Sequence, residues 1–539
     1  MLRSGLRLAE KILLHSRLNV PKQRDFQRAF CAVDPNAEDE TYKFCIVGTG
    51  PAGFYAADRI LRRFQKFPKE IDFIEKLPFP FGLVATGVAP DHHPTKNVIN
   101  QFEKILEKPE CRYFGNVEFG KQIKLAELRD LYHGVILAYG AEGDVDMEIR
   151  GEDQKGVFSA REFVWWYNGH PDYKNLDIDL RGVRNVAIFG MGNVALDCAR
   201  ILLKDPKELE KTDIADHALE ALRKSDVTQV HILGRRGPAQ AKFTSKELRE
   251  LLLMDEMDVE IKLDDLRLDK VDRLAIKNVR MKKRIQIILT GAMQNSDDKR
   301  RMGIDSSKRL SLRFYRMPRR VIPRYEGEEG KFELLTEYTQ LCDPPVSNPN
   351  GPRPCRSTGR IEGFPVDLIL KSIGYKATRA EKDIPFDKEK CVVPNIEGRV
   401  VEAPGSENFE KGLYVCGWLK RGPSGIIGTN LIDAEETVDC VFMDRKTLLE
   451  GKTSAENGEG VEGGKQGREG LERVLKFRGV RAVNYEMWKR LDNYEVRKGE
   501  ALERPRVKVV DREVMLDICF GKFQEIDEVS AESGAAMGG

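Results

Sequence analysis

The apolar positions of this chain fall into a repeating two-part pattern. A short unbroken apolar run, "KFCIVG" (43–48), leads into "FYAADRILRRF", whose apolar residues recur at helical spacing. "VAIFG" (186–190) leads in the same way into "NVALDCARILL". Short apolar runs closed by glycine predict buried strands of a parallel sheet, and the 3.6-residue period predicts helices laid on its faces. Further strand-like runs are "IDFIEK" (71–76), "LYHGVILAYG" (131–140), "VTQVHILGRRGP" (227–238), "VDLILKSIGYKAT" (366–378) and "GLYVCGW" (412–418). Strands alternating with helices over 539 residues, too many for one core, predict an α/β protein with two Rossmann-like dinucleotide-binding domains.

The junction between run and helix carries the chemistry. Gly48-x-Gly50-x-x-Gly53 opens the first helix. The first glycine permits the tight turn, the second admits a pyrophosphate against the backbone, and the third lets helix pack on strand. The next strand ends in Glu75, an acid placed to accept the ribose hydroxyls of an adenosine. Gly190-x-Gly192 opens a second such unit, but its following strand ends in Arg235 and Arg236. Paired guanidiniums bind a 2′-phosphate that an acid would repel. The first turn therefore suits FAD and the second NADP, with the NADP domain inserted into the FAD domain. The runs at 366–378 and 412–438 resemble closing strands, and both are expected to return to the first domain.

The remaining regions differ in composition. Residues 1–32 are Arg-rich and acid-poor with Leu2, Leu6, Ile12, Leu13 and Leu14 able to form one apolar face, which reads as a mitochondrial transit peptide. Expected boundaries are 41–141 for the first part of the FAD domain, 142–364 for the NADP domain and 365–450 for the second FAD part. A flexible Gly/Glu-rich linker at 451–470, a C-terminal part of the FAD domain at 471–524 and a disordered tail at 525–539 complete the division. The ten cysteines form no C-x-x-C pair, which argues against a zinc knuckle, an iron–sulfur cluster or a redox dithiol. No metal site is expected. With no internal dithiol, electrons need an external carrier. Net charge is only +2, yet residues 270–324 hold 17 Lys or Arg against four Asp, a local basic surface suited to an acidic partner. Aromatic residues that would stack on nucleic-acid bases are few there.

"GPAGFYAAD", "PFGLV", "GVAPDH", "REFVWWYNGHPDY", "GNVALD", "TDIA", "GRRGP", "KELRE", "SIGYK", "VPNIEGRV" and "GWLKRGPSGII" occur in one order from about residue 43 to 519. In these the chain resembles the adrenodoxin-type ferredoxin–NADP reductases of mitochondria, the plant forms most of all. The resemblance implies that Ala52, Glu75, Leu83, Phe119, Trp418, Gly425, Ile426 and Ile427 line FAD. It implies that Met191, Gly192, Asn193, Val194, Arg235, Arg236, Glu247 and Gly425 line NADP. His92 and Asp197 match a pair beside the flavin that assists proton or electron flow, and Arg280 and Arg284 match arginines that dock an acidic [2Fe–2S] ferredoxin. An NADPH-dependent monomeric reductase of the mitochondrial matrix is implied, at most peripheral to the inner membrane. Alternatives are a flavin-binding relative that has lost catalysis and serves in docking, or a reductase of another acceptor such as a quinone. Three positions depart from the family pattern: Met191 for Gln, Ala85 for Arg, and His93 for Pro.

Overall fold

A computed structural model describes residues 40–523 except 255–256, 304–305, 326–328, 346–350, 352 and 451–463. The expected transit peptide, the tail and most of the linker lie outside the described residues.

Two sheets form the frame. The first runs, edge to edge, Asn395–Ile396, Arg399–Val401, Phe409–Val415, Gly134–Leu137, Tyr42–Val47, Lys69–Ile74 and Cys111–Phe114. Its last five strands are parallel, and the two short edge strands turn back antiparallel. The second is parallel throughout: Val157–Ser159, Leu368–Lys371, Asn185–Phe189, Gln229–Leu233, Lys308–Arg313 and Met257–Glu260. Parallel strands need cover on both faces. On the first sheet, helices Pro51–Arg63 and Thr429–Met443 share one apolar layer with Phe44, Ile46, Ile71 and Phe73. Cys45, Val47, Val135 and Leu137 point into the other layer. On the second sheet, helix Asn193–Leu203 covers one face. Ala187, Phe189, Leu233 and Ile369 on the opposite face pack against Val321, Phe332 and Leu334 of a three-stranded antiparallel sheet. That third sheet is built from Arg316–Pro323, Phe332–Leu341 and Cys355–Val366, and the sequence pattern had not suggested it.

One expected assignment is corrected. The strand within 366–378 does not return to the first sheet: Leu368–Lys371 lies beside Asn185–Phe189 in the second. The similarity of this run to "LYHGVILAYG" has a physical cause. Gly134–Leu137 flanks the first glycine strand as Leu368–Lys371 flanks the second, so the two runs occupy equivalent places in different sheets. The chain crosses back only after it, where Tyr375–Lys376 pairs antiparallel with Gly143–Asp144. The boundary expected near 365 therefore falls about ten residues too early. The linker end is corrected as well: helix Arg468–Phe477 already contains Gly470, whose missing side chain admits Leu131. Glycine serves close packing there, not freedom.

The C-terminal segment ties the two domains together. Trp488, Leu491, Met515 and Leu516 pack into the first domain's core. Arg504 reaches the second domain, donating to the carbonyls of Thr212 (3.2 Å) and Ile214 (2.6 Å) and pairing with Asp216 at 2.6 Å. Further ion pairs cross the boundary. Arg200, fully buried in helix Asn193–Leu203, makes a bidentate contact to Asp91 at 2.8 and 2.9 Å. Lys96 meets Asp213 at 2.7 Å.

Candidate functional site

The two glycine turns are built alike. The amide of Gly48 donates to Ile74 O and that of Gly190 to Leu233 O, both at 2.8 Å, closing each strand onto its neighbour. Both glycines have positive φ, +107° and +133°. A Cβ on Gly48 would lie 2.6 Å from Ala138 O, and one on Gly190 would lie 2.0 Å from Ser372 O. By contrast, a Cβ on Gly50 or Gly192 would meet nothing within 4 Å. Each second glycine, capping the N-terminus of a helix, thus faces open space where backbone amides and the positive helix end attract phosphate. Gly53 does what its place implies: its Cβ would stand 2.1 Å from Gly48 O.

Around the first turn several expected residues come together. Gly82, at φ +49°, leaves room for Gly50, since its Cβ would be 3.1 Å from Gly50 Cα. Gly417 rests on Ala52 and precedes Trp418, whose indole donates to Ser424 O at 3.2 Å and leans on Tyr375 with ring centres 5.6 Å apart. Phe119 packs beside Tyr139, the residue that bounds Gly48. Ile426 is a large apolar side chain left exposed after Gly425, while Ile427 tucks against the core. Leu83 packs instead on the second domain's core, as do Met191 and Val194.

Glu75 is held tightly. Oε2 accepts from the Thr49 amide (3.1 Å) and hydroxyl (2.5 Å), and Oε1 accepts from Leu77 N at 3.1 Å. Burial pushes its carboxyl above the ordinary range, against these hydrogen bonds. A carboxylate has about four acceptor positions, so this arrangement leaves one, enough for one ribose hydroxyl where two were expected.

At the second turn Arg235 is exposed and Arg236 half-buried. Burial and the neighbouring Arg235 charge both press the Arg236 guanidinium below its ordinary pKa. No carboxylate pairs with either guanidinium among the described residues. Asn193 spends its side-chain oxygen on the Thr244 amide at 2.8 Å, fixing the start of the helix that carries Glu247. Met191 accepts from Lys242 N through its carbonyl at 2.7 Å and lays its side chain over Gly234. The other two departures share a different place. Ala85 and His93 both line a cavity of about 340 Å³ with Trp488, Lys96, Arg506 and Lys508, beneath the C-terminal segment.

His92 sits between the domains. Its Nδ1 faces Asp197 at 3.7 Å, and its Nε2 lies 3.1 Å from Glu250 and 3.3 Å from Glu247. Burial raises the Asp197 carboxyl to about 6, although Arg200 at 2.8 Å and His92 pull it down. Asp91 is held well below the usual carboxylate range by Arg200 and Lys204, which outweigh its burial. Glu250, Arg200 and Asp91 were not singled out from sequence. "KELRE" carried a signal for Glu250, because a spacing of three places it on the helix face of Glu247. Arg280 and Arg284 are exposed on helix Arg280–Arg301. Among the described residues no helix is long and apolar enough to cross a membrane.

No family model matches the chain. A mitochondrial NADPH:adrenodoxin oxidoreductase of Arabidopsis thaliana is 43% identical over 484 residues, 89% of this chain and 96% of the relative. The human protein of that name is 40% identical over 490 residues, 89% and 92% of the two chains. NADPH-ferredoxin reductase FprA of Mycobacterium tuberculosis is 39% identical over 489 residues, 89% and 99%. The solved structure of Mycobacterium tuberculosis FprA in complex with NADPH matches with a TM-score of 0.77 at 36% identity, covering 89% of this chain and all of that one. With this likeness along most of its length, and with both glycine turns and their differing strand ends in place, the chain belongs to the family of NADPH:adrenodoxin oxidoreductases.

Proposed function

We propose that this protein is an FAD-containing oxidoreductase that passes electrons from NADPH to a mitochondrial adrenodoxin-type [2Fe–2S] ferredoxin. The observation that carries the reading is the contrast between the two turns. One ends in a half-buried, hydrogen-bonded carboxylate and the other in two guanidiniums without a carboxylate partner among the described residues. A bound flavin supplies the step from two-electron hydride donor to one-electron acceptor. The chain's own residues bind and orient. Gly50 and Gly192 clear the pyrophosphate positions, Glu75 takes a ribose hydroxyl, and Arg235 with Arg236 takes the 2′-phosphate. His92 and Asp197 hold a mobile proton beside the reacting rings. Arg280 and Arg284 attract the acidic partner by long-range steering. The matrix is the site of action and the working form is a monomer.

Neither Ala85 nor Met191 weakens this reading. Ala85 faces the cavity under the C-terminal segment, and Met191 still offers its main chain. Anaerobic mixing with NADPH, then with a mitochondrial [2Fe–2S] ferredoxin, tests it. Flavin absorbance should bleach and then recover as the ferredoxin is reduced. A yellow protein that NADPH cannot bleach would identify the docking relative instead, and bleaching that only a quinone reverses would identify a different acceptor.

A further inference from the structure

The sequence holds no metal-binding motif, yet the fold assembles three ligand atoms from the two domains. His92 Nε2, a Glu247 oxygen and a Glu250 oxygen all lie within 4.8 Å of one another. His92 precedes the short helix His93–Lys96 in the first domain, and both glutamates project from helix Ser245–Leu252 in the second. The two histidine–glutamate separations are 3.1 and 3.3 Å. Zinc bonds to nitrogen and oxygen of about 2.0–2.1 Å put tetrahedral ligands roughly 3.3 Å apart. We propose that His92, Glu247 and Glu250 form a Zn²⁺ site that bridges the domains and, when filled, blocks NADPH-driven turnover.

Three further observations favour an ion there. Glu247 Oε2 is buried and accepts no hydrogen bond. The second ring nitrogen of His92 faces Asp197, the outer carboxylate that commonly orients a metal-bound imidazole. Asp197 is itself held by Arg200. Charge balance also suits a divalent cation. Glu247, Glu250, Asp197 and Asp91 gather around the site, against Arg200 and Lys204. Arg200 opposes the ion most directly, with Nε 3.9 Å from Glu250, but its guanidinium is committed to Asp91 and Asp197.

Binding is written simply. The ion sheds all but one of its coordinated waters and takes Nε2 and one oxygen from each glutamate, any proton on Nε2 leaves to solvent, and the imidazole carries its one proton on Nδ1, facing Asp197. No electron moves. Because the ligands come from both domains and include Glu247, which is assigned to the NADP lining, the ion competes with NADPH. The site itself does not depend on that assignment.

The test uses the full-length flavin-loaded protein. Calorimetric titration with ZnCl₂ should show one site per chain, and Co²⁺ in its place should give the visible absorption of a four-coordinate ion. ZnCl₂ should inhibit NADPH-driven reduction of dichlorophenolindophenol, and a chelator should restore it. Glu250→Gln, nearly isosteric and partly exposed, should weaken Zn²⁺ binding at least 100-fold. Asp197→Asn, acting through His92, should weaken it about 10- to 100-fold. Circular dichroism and flavin content establish that the variants are folded. Absence of Zn²⁺ binding up to millimolar concentration overturns the proposal, and so does binding that Glu250→Gln leaves unchanged. Tight binding without inhibition would keep the site and overturn the block on turnover.

Discussion

Gly50 and Gly53 stand three residues apart in one turn, yet substituting alanine should harm the protein in opposite ways. At Gly50 the backbone angles, φ −76° and ψ −179°, suit any residue, and an added Cβ meets nothing within 4 Å. Alanine there gives up some cap preference but removes unfolded-chain entropy worth about 0.4–1 kcal/mol. The apoprotein should therefore stay within about 1 kcal/mol of the parent by these terms. The new methyl occupies the space needed by the pyrophosphate, so flavin occupancy should collapse. At Gly53 an added Cβ stands 2.1 Å from a backbone carbonyl and 3.2 Å from Ile46 Cγ2. Helix and strand must part by about 1 Å, and overpacking of this kind costs about 1–3 kcal/mol or more. Better helix propensity returns at most about 1 kcal/mol. Melting of Gly53→Ala apoprotein should fall by roughly 4–8 °C, taking a net 2 kcal/mol and about 2–4 °C per kcal/mol. The assay is thermal unfolding of deflavinated protein, with the flavin-to-protein absorbance ratio measured after reconstitution. Full flavin occupancy in Gly50→Ala, or equal destabilisation by both substitutions, would refute the reasoning.

Three other outcomes are expected. Arg236→Ala should weaken NADPH about 10- to 150-fold, mainly in KM, because a hydrogen bond to a charged group is worth about 1.5–3 kcal/mol and NADH lacks the phosphate; an equal fall in kcat/KM for NADH would move the phosphate site elsewhere. Reversing Arg280 and Arg284 to Glu should slow ferredoxin reduction and flatten its salt dependence while sparing ferricyanide reduction, and matched losses with both acceptors would remove the docking role. Burial holds His231 neutral, with its pKa pushed down to about 3, aided by Arg313 and Arg309. Since the unfolded chain binds that proton more readily, stability is present above about pH 6.5 and drains as pH falls. His231→Phe should therefore reduce the loss between pH 6.5 and 4 by up to about 3 kcal/mol, at about 1.4 kcal/mol per pH unit; a parallel pH profile in urea unfolding would count against it.

Local patterns told the α/β frame and its two glycine turns, and less of which strand joins which sheet. Both turns were legible because each glycine role is enforced within a few residues of strand and helix. The acid at Glu75 and the arginines at 235 and 236 were legible because they end a strand whose start was already placed. Leu368–Lys371 was misplaced because its apolar run satisfies either parallel sheet equally, and only neighbours far away in sequence decide. Arg200 and Asp91 were missed for a related reason. A guanidinium in an amphipathic helix reads as solvated, and its burial depends on an aspartate 109 residues away. The effect of Ala85 likewise depended on a cavity wall contributed by residues after 480.

The ion pairs across the domain boundary have a dynamic consequence. Arg200 is fully buried, and pulling the domains apart would strand its charge, at a cost of about 3–5 kcal/mol for a broken buried pair. Lys96 with Asp213 and the Arg504 clamp would have to yield as well. These contacts set the spacing between the two nucleotide turns and oppose any change in it. A step gated by domain swinging slows in a thick solvent, whereas one confined to preset neighbours does not. Flavin reduction by saturating NADPH should thus run at the same rate in buffer and in glycerol, and a rate that falls in proportion to viscosity would show that the domains swing.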